Sequence, residues 1–162
     1  MKIQRMISMT NTTMQRAEAP NREAFRHFEV IETGWADNDM YGHVNNAAYY
    51  RFFDTAVNRF LIEADVLEPE TSPVIGLVVE TGCRFFAPVS FPDRLELGIA
   101  VSRLGNSSVR YELAVFKQGS DEAAAAGFFI HVYVDAATHR PVPVPDEMRA
   151  VLSKRLMMTA AS

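Results

Sequence analysis

Cysteine occurs once in the chain, at Cys83, which excludes an intramolecular disulfide and any Cys-rich metal module. Glycine and proline number eight each in 162 residues, too few for a collagen-like, linker-like or low-complexity protein. No apolar run approaches the ~20 residues that a membrane-spanning helix needs. The first 22 residues lack the apolar core of a signal peptide and read as a disordered extension, with Met6, Met9 and Met14 as alternative starts. A net charge of −4 supplies no large basic field, so nucleic acid is not an expected partner. The remainder is 48% hydrophobic and 22% charged, enough for one ordinary core and too little chain for two. We expect a single domain over residues 23–158, cytoplasmic, with no membrane contact.

Patterning orders that domain. Residues 24–35 are β-rich and end in a turn, reading as a first strand. Residues 47–64 have helical spacing: Arg51, Asp54, Thr55, Asn58, Arg59 and Glu63 fall on one polar stripe, and apolar side chains fill the rest. So wide an apolar face predicts a helix buried on most of its circumference. Beyond Pro69 the period becomes two. Residues 74–89 form a long strand or two short ones, with Gly76 and Gly82 as bulge candidates, and residues 94–104, 107–117 and 123–135 follow as strands joined by hairpins. In the last of these, Phe128, Ile130, Val132 and Val134 share a face. Prolines at 141, 143 and 145 precede a short helix over 146–157. Strands gathered after one central helix imply an α+β domain whose antiparallel sheet curls around that helix.

Familiar catalytic motifs are missing: no Gly-x-Ser-x-Gly elbow, no phosphate loop, no Gly-x-Gly-x-x-Gly, and no metal-site spacing among His27, His43, His131 and His139. No metal is expected, and Cys83 reads as a small core filler. What remains is the acidic turn from Asp37 to Asn46, placed directly before the helix. Free N–H groups at a helix start, together with its dipole, stabilise a carbonyl oxygen that gains negative charge. A neighbouring carboxylate attacks the carbonyl carbon or activates water against it. Gly42 allows close approach of a ligand to the backbone. Asx residues also crowd helix starts purely as caps, so spacing alone does not choose between a cap and a site.

The segment Trp35-Ala36-Asp37-Asn38-Asp39-Met40-Tyr41-Gly42-His43-Val44-Asn45-Asn46-Ala47-Ala48-Tyr49-Tyr50, continuing to Asp54-Thr55-Ala56, resembles the signature of the 4-hydroxybenzoyl-CoA thioesterase-like family of hotdog-fold acyl-CoA thioesterases. Similarity runs from Phe25 to Met157 and takes in Arg84-Phe85, Pro88, the stretch Ser102 to Ser108, and Arg140 to Pro145. It implies a hotdog fold, a curled antiparallel sheet around one long central helix. It also implies that Asp39 is nucleophile or general base and that the backbone N–H at Asn46 polarises the thioester carbonyl. Asp37, Gly42, His43, Asn45 and Tyr49 would support the acyl site. Arg103, Asn106, Ser107, Ser108 and Arg140 would contact coenzyme A, although the family prototype has a basic cluster where only Arg103 remains here.

The resemblance thus implies hydrolysis of an acyl-CoA to a free acid and CoA, without a cofactor beyond the CoA carried by the substrate. Members of the family pair their sheets edge to edge, so a homodimer or homotetramer is expected. Tyr50, Phe53, Val57, Phe85 and Phe86 are candidate pocket walls. Two other readings compete: a non-catalytic acyl-CoA-binding or sensing module, and a hydratase, for which His43 is the sole candidate base.

Overall fold

The computed structural model describes residues 18–158, so most of the predicted extension, including Met6, Met9 and Met14, lies outside the described residues. Five strands, β1 (His27–Glu32), β2 (Val74–Phe85), β3 (Arg94–Leu104), β4 (Ser108–Lys117) and β5 (Ala125–Asp135), form one antiparallel sheet in the order β1-β3-β4-β5-β2. The long helix α1 (Asn46–Glu63) joins β1 to β2, which lie at opposite edges, and so it must cross the sheet. A short helix, α2 (Asp146–Arg155), follows the sheet. This curled antiparallel sheet around a central helix is the hotdog fold.

Helix α1 forms because nothing from residue 46 to 63 breaks it and Asn45 caps it. It ends at Asp65, whose φ of +57° is left-handed, with the Asp65 and Val66 N–H groups closing back on Ile62 and Leu61. Its buried set is Tyr49, Phe52, Phe53, Ala56, Val57, Phe60 and Leu61. This is one face rather than most of the circumference, because the sheet covers the helix on one side and leaves Ala47 and Ile62 exposed. Leu95, Leu97, Ile99, Leu113 and Phe129 meet that face from the sheet. Gly127 marks the closest approach, since a Cβ there would lie 2.4 Å from the Gly82 carbonyl oxygen and 2.7 Å from the Phe53 ring.

One further element departs from the patterning. Strand β2 does not form a hairpin with β3; it crosses over and pairs with β5, and its bulge falls between Val78 and Glu80 rather than at a glycine. On β5 Ala125, Phe129, His131 and Tyr133 are buried on one face, while on the other Phe128, Ile130 and Val132 are half-buried and Val134 is buried. That outer face has its own small core of Phe25, Ala100, Ala114, Phe116 and Ala123. The chain just before β1 covers it: the Arg22 N–H bonds the Asp121 carbonyl, and its guanidinium pairs with Glu96 and lies over the Phe28 ring.

His131 is 3% exposed among the rings of Tyr111, Phe129 and Tyr133, and neither ring nitrogen has a partner among the described residues. Burial lowers its pKa to about 4. An unfolded chain takes up this proton below the ordinary histidine value near 6.5, whereas the folded chain resists until about pH 4. Stability should therefore fall by up to about 3 kcal/mol between pH 6.5 and 4 and change no further below that through this group. Chemical denaturation of wild type and His131→Leu across that range checks this: the difference between the two curves should carry the slope.

Candidate active site

The site is built around the start of α1. The Asn45 side-chain oxygen accepts the Ala47 N–H at 2.9 Å and its carbonyl accepts the Ala48 N–H at 2.9 Å. The Asn46 N–H meets no acceptor among the described residues, so the capped helix keeps one donor open. Upstream, the loop is stitched to residues 89–91. Val44 N–H donates to the Val89 carbonyl at 2.8 Å, Phe91 N–H to the Asn38 side chain at 3.0 Å, and Ser90 Oγ to the Gly42 carbonyl at 2.8 Å. Ser90 N–H also bonds Asp93, holding that carboxyl below the usual carboxylate range.

The two aspartates of the turn occupy different surroundings. Asp37 is buried: its carboxylate accepts the Gly34 N–H at 2.7 Å and pairs with Arg51, and its carbonyl accepts the Asn45 N–H at 2.8 Å. Asp39 is half-buried. Its Oδ1 accepts the Tyr41 N–H at 2.8 Å and its Oδ2 accepts nothing from the described residues. The Asp39 N–H donates to the His43 carbonyl at 2.8 Å, so His43 orders the turn through its backbone. Gly42 has a φ of +79°, and a Cβ there would meet no protein atom within 4 Å. Glycine is therefore required by the left-handed backbone.

A cavity of about 280 Å³ opens beside the helix start. Asn46 and Tyr49 line it from α1, His43 and Val44 from the loop, and Phe85 to Pro88 from the end of β2. Asp39 does not line it. Tyr49 packs edge-on to Phe85 with centroids 5.0 Å apart, and burial, then the nearby Cys83, push its phenol up to about 12. It is a neutral donor at any working pH. Of the predicted walls, Phe85 and Phe86 line the cavity, whereas Phe53 and Val57 are fully buried in the core and Tyr50 packs against it. Larger hollows of about 390 and 460 Å³ lie at the other end of α1 and on the outer sheet face; the second shares Phe86 with this cavity, and neither is lined by Asn46. Burial raises the Cys83 thiol to about 11, which suits a packing residue and not a thiolate nucleophile.

The predicted coenzyme A contacts lie elsewhere. Arg103, Asn106, Ser107 and Ser108 surround the β3–β4 turn, and Arg140 follows β5. Their turn is held by Tyr133 N–H on the Ser107 carbonyl, Val144 N–H on that of Asn106, and Arg149 on those of Gly105 and Asn106. This group sits beside the Asp135 end of β5, while the cavity sits beside the Ala125 end. Arg103 is level with Ile130 through Arg110, Ser108 with Val132 and Arg140 with Asp135, so the group is displaced from the Ala125 end by five to ten residues of strand, roughly 17–33 Å. One chain therefore brings Asp37, Asp39, Gly42, His43, Asn45, Asn46 and Tyr49 together but leaves Arg103 to Ser108 and Arg140 apart from them. Arg51, Ser90 and Arg149 were missed in the sequence reading; Arg51 was visible only as part of the polar stripe.

A hotdog domain with an open helix-start donor beside a carboxylate turn belongs to a class built for thioester chemistry. Residues 33–152 match the model of the thioesterase-like superfamily, and the chain belongs to that superfamily; it is a thioester hydrolase. Among solved structures it is similar to the PA5185 protein from Pseudomonas aeruginosa at 55% identity and a TM-score of 0.85, over 88% of this chain and 99% of that one. A gentisyl-coenzyme A thioesterase, BH1999, aligns at 26% identity and a TM-score of 0.70, over 78% of this chain and 99% of its own. A 1,4-dihydroxy-2-naphthoyl-CoA thioesterase from Synechocystis shares the fold at 16% identity and a TM-score of 0.71, over 78% of this chain and 94% of its own.

Removing the cap isolates its structural share. Asn45→Ala should destabilise the domain by ~1 kcal/mol, and Asn45→Ser, which keeps a capping oxygen, by a few tenths. Urea melts of the three proteins measure the difference.

Proposed function

We propose that the protein hydrolyses an acyl-CoA thioester to a carboxylic acid and free CoA. The observation that carries this reading is the open Asn46 N–H on the cavity wall, with the free Oδ2 of Asp39 in the adjoining turn. The N–H and the helix dipole stabilise the oxygen of the tetrahedral intermediate. Asp39 takes the proton of the attacking water, or attacks the carbonyl carbon itself to give an anhydride that water opens. On the first route Asp39 passes that proton to the sulfur as the carbon–sulfur bond breaks; on the second the CoA thiolate leaves first and is protonated at the expense of the water that opens the anhydride and regenerates the Asp39 carboxylate. The cavity walls are mainly apolar, which suits an uncharged acyl group.

The reading includes a homodimer through β2. Leu77, Val78 and Val79 are exposed on this long edge strand, Val79 at 61%. Two copies joined edge to edge across a two-fold axis run antiparallel. The Val74 end of one β2 then lies beside the Phe85 end of the other. That operation moves the partner copy's Arg103 to Ser108 turn and its Arg140 toward this chain's cavity. A site shared in this way would hold the acyl group at one subunit and the nucleotide at the other.

The absence of Asp39 from the cavity wall favours one second reading, an acyl-CoA-binding module without turnover. Thiol release from short, long and aromatic acyl-CoAs separates the two. We expect turnover by wild type and a fall of at least ~100-fold in Asp39→Asn. Tight binding with no thiol above background would instead establish the binding module. Val79→Lys should shift the species seen by analytical ultracentrifugation from dimer to monomer and abolish turnover; a wild-type monomer would remove the shared site.

A further inference from the structure

We infer that Arg51 is a positioning residue for this hydrolysis, acting through Asp37 to hold the open donor at the helix start. The inference rests on the thioesterase reading above. Arg51 is on the second turn of α1, five residues beyond Asn46, and its side chain is 61% exposed. Exposed ion pairs ordinarily contribute little, but this one has a buried end: the Asp37 side chain is 7% exposed.

Asp37 is a junction. One carboxylate oxygen takes the guanidinium of Arg51 and the other takes the Gly34 N–H at 2.7 Å. Its own N–H closes on the Gly34 carbonyl at 3.0 Å, and its carbonyl receives the Asn45 N–H at 2.8 Å. Asn45 is the residue that takes the Ala47 and Ala48 donors, while the adjacent Asn46 N–H has no acceptor among the described residues. The bonds therefore run from Arg51 through Asp37 and Asn45 to the donor, and return along one and a half turns of the same helix. A closed loop of this kind fixes the direction of the Asn46 N–H relative to the turn carrying Asp39. Without the guanidinium, a buried carboxylate loses its counter-charge and the loop opens.

An anion site is the competing use for Arg51, because a groove of about 420 Å³ contains Arg51, Arg59, Thr55 and Glu32. Both guanidinium groups there are already engaged. Arg51 holds Asp37, and Arg59 donates to the Val30 carbonyl at 3.2 Å and faces Glu29 at 3.8 Å. Glu32 adds an opposing charge. The groove is a seam between α1 and β1, and the bonds of Arg51 lead toward the candidate active site.

The test compares Arg51→Gln, Arg51→Lys, Asp37→Asn and the double variant Arg51→Gln/Asp37→Asn. The readouts are kcat, KM, affinity for a non-hydrolysable thioether analogue of the best acyl-CoA, and the amide resonances of Asn45 and Asn46. Arg51→Gln should lower kcat ~10-fold while KM and analogue affinity stay within about twofold, the pattern of an interaction that matters in the transition state. Arg51→Lys should recover part of the loss, and the double variant should be no worse than Asp37→Asn, because both residues act along one path. The Asn45 and Asn46 resonances should move in Arg51→Gln while core amides stay in place. Unchanged kcat, or a loss seen only as weaker binding or a lower melting temperature, would overturn the inference while leaving the thioesterase reading intact. If wild type turns over no acyl-CoA, the thioesterase reading fails and the catalytic part of the inference with it. Unmoved Asn45 and Asn46 amides in Arg51→Gln would overturn the structural part by itself.

Discussion

The start of helix α1 carries two opposed requirements. Helix N-termini leave several backbone N–H groups without partners, and burying them unsatisfied is costly. The mechanism proposed above would use one of those groups left unsatisfied by the protein. Asn45 resolves the conflict by taking Ala47 and Ala48 and leaving Asn46. Much of the neighbouring structure serves that arrangement. The β1-to-β2 crossover brings the helix start to the Phe85 end of β2, residues 89–91 tie down the loop, and Asp37 holds Asn45.

The two aspartates show how environment divides labour within three residues. Asp37 accepts bonds on both carboxylate oxygens and on its carbonyl, so it is committed to structure. Asp39 accepts one side-chain bond, from the Tyr41 N–H, and keeps an oxygen free. The proposed hydrolysis would use the uncommitted group for chemistry and the committed one for geometry. Exchanging their surroundings would leave neither task done.

How much of this was legible in the sequence depends on how local each feature is. Helix α1 and strand β3 are local patterns, and their observed limits, Asn46–Glu63 and Arg94–Leu104, fall within a residue of the periodicity. The pairing of β2 with β5 is not local, and alternation within β2 does not reveal which strand it joins. Alternation put Phe128, Ile130 and Val132 on one face of β5 but did not say which face is the deeper, because both are apolar. Phe128, Ile130 and Val132 alternate with Phe129, His131 and Tyr133, and the outer set is partly sheltered. In the candidate site, Asp37 to Tyr49 is one contiguous segment and could be seen whole. The roles of Ser90 and Arg51 depend on contacts across 48 and 14 residues, and Arg51 looked like any polar helix residue.

The two edges of the sheet are treated differently, and the difference bears on the proposed dimer. Strand β1 has six residues, ends on Glu32 facing Arg94 of β3, and has its Val30 carbonyl taken by Arg59. Those are the devices by which an edge avoids pairing: short length, charge, and a side chain on the open backbone. Strand β2 has twelve residues, and Leu77, Val78 and Val79 stand exposed in succession before the first charge at Glu80. An edge of that kind left in water would recruit any available strand. Selection against aggregation acts equally on both edges, so protection of one and not the other argues that β2 has a regular partner. A second copy is the partner we propose, because its two-fold symmetry would also move the separated halves of the candidate site toward each other.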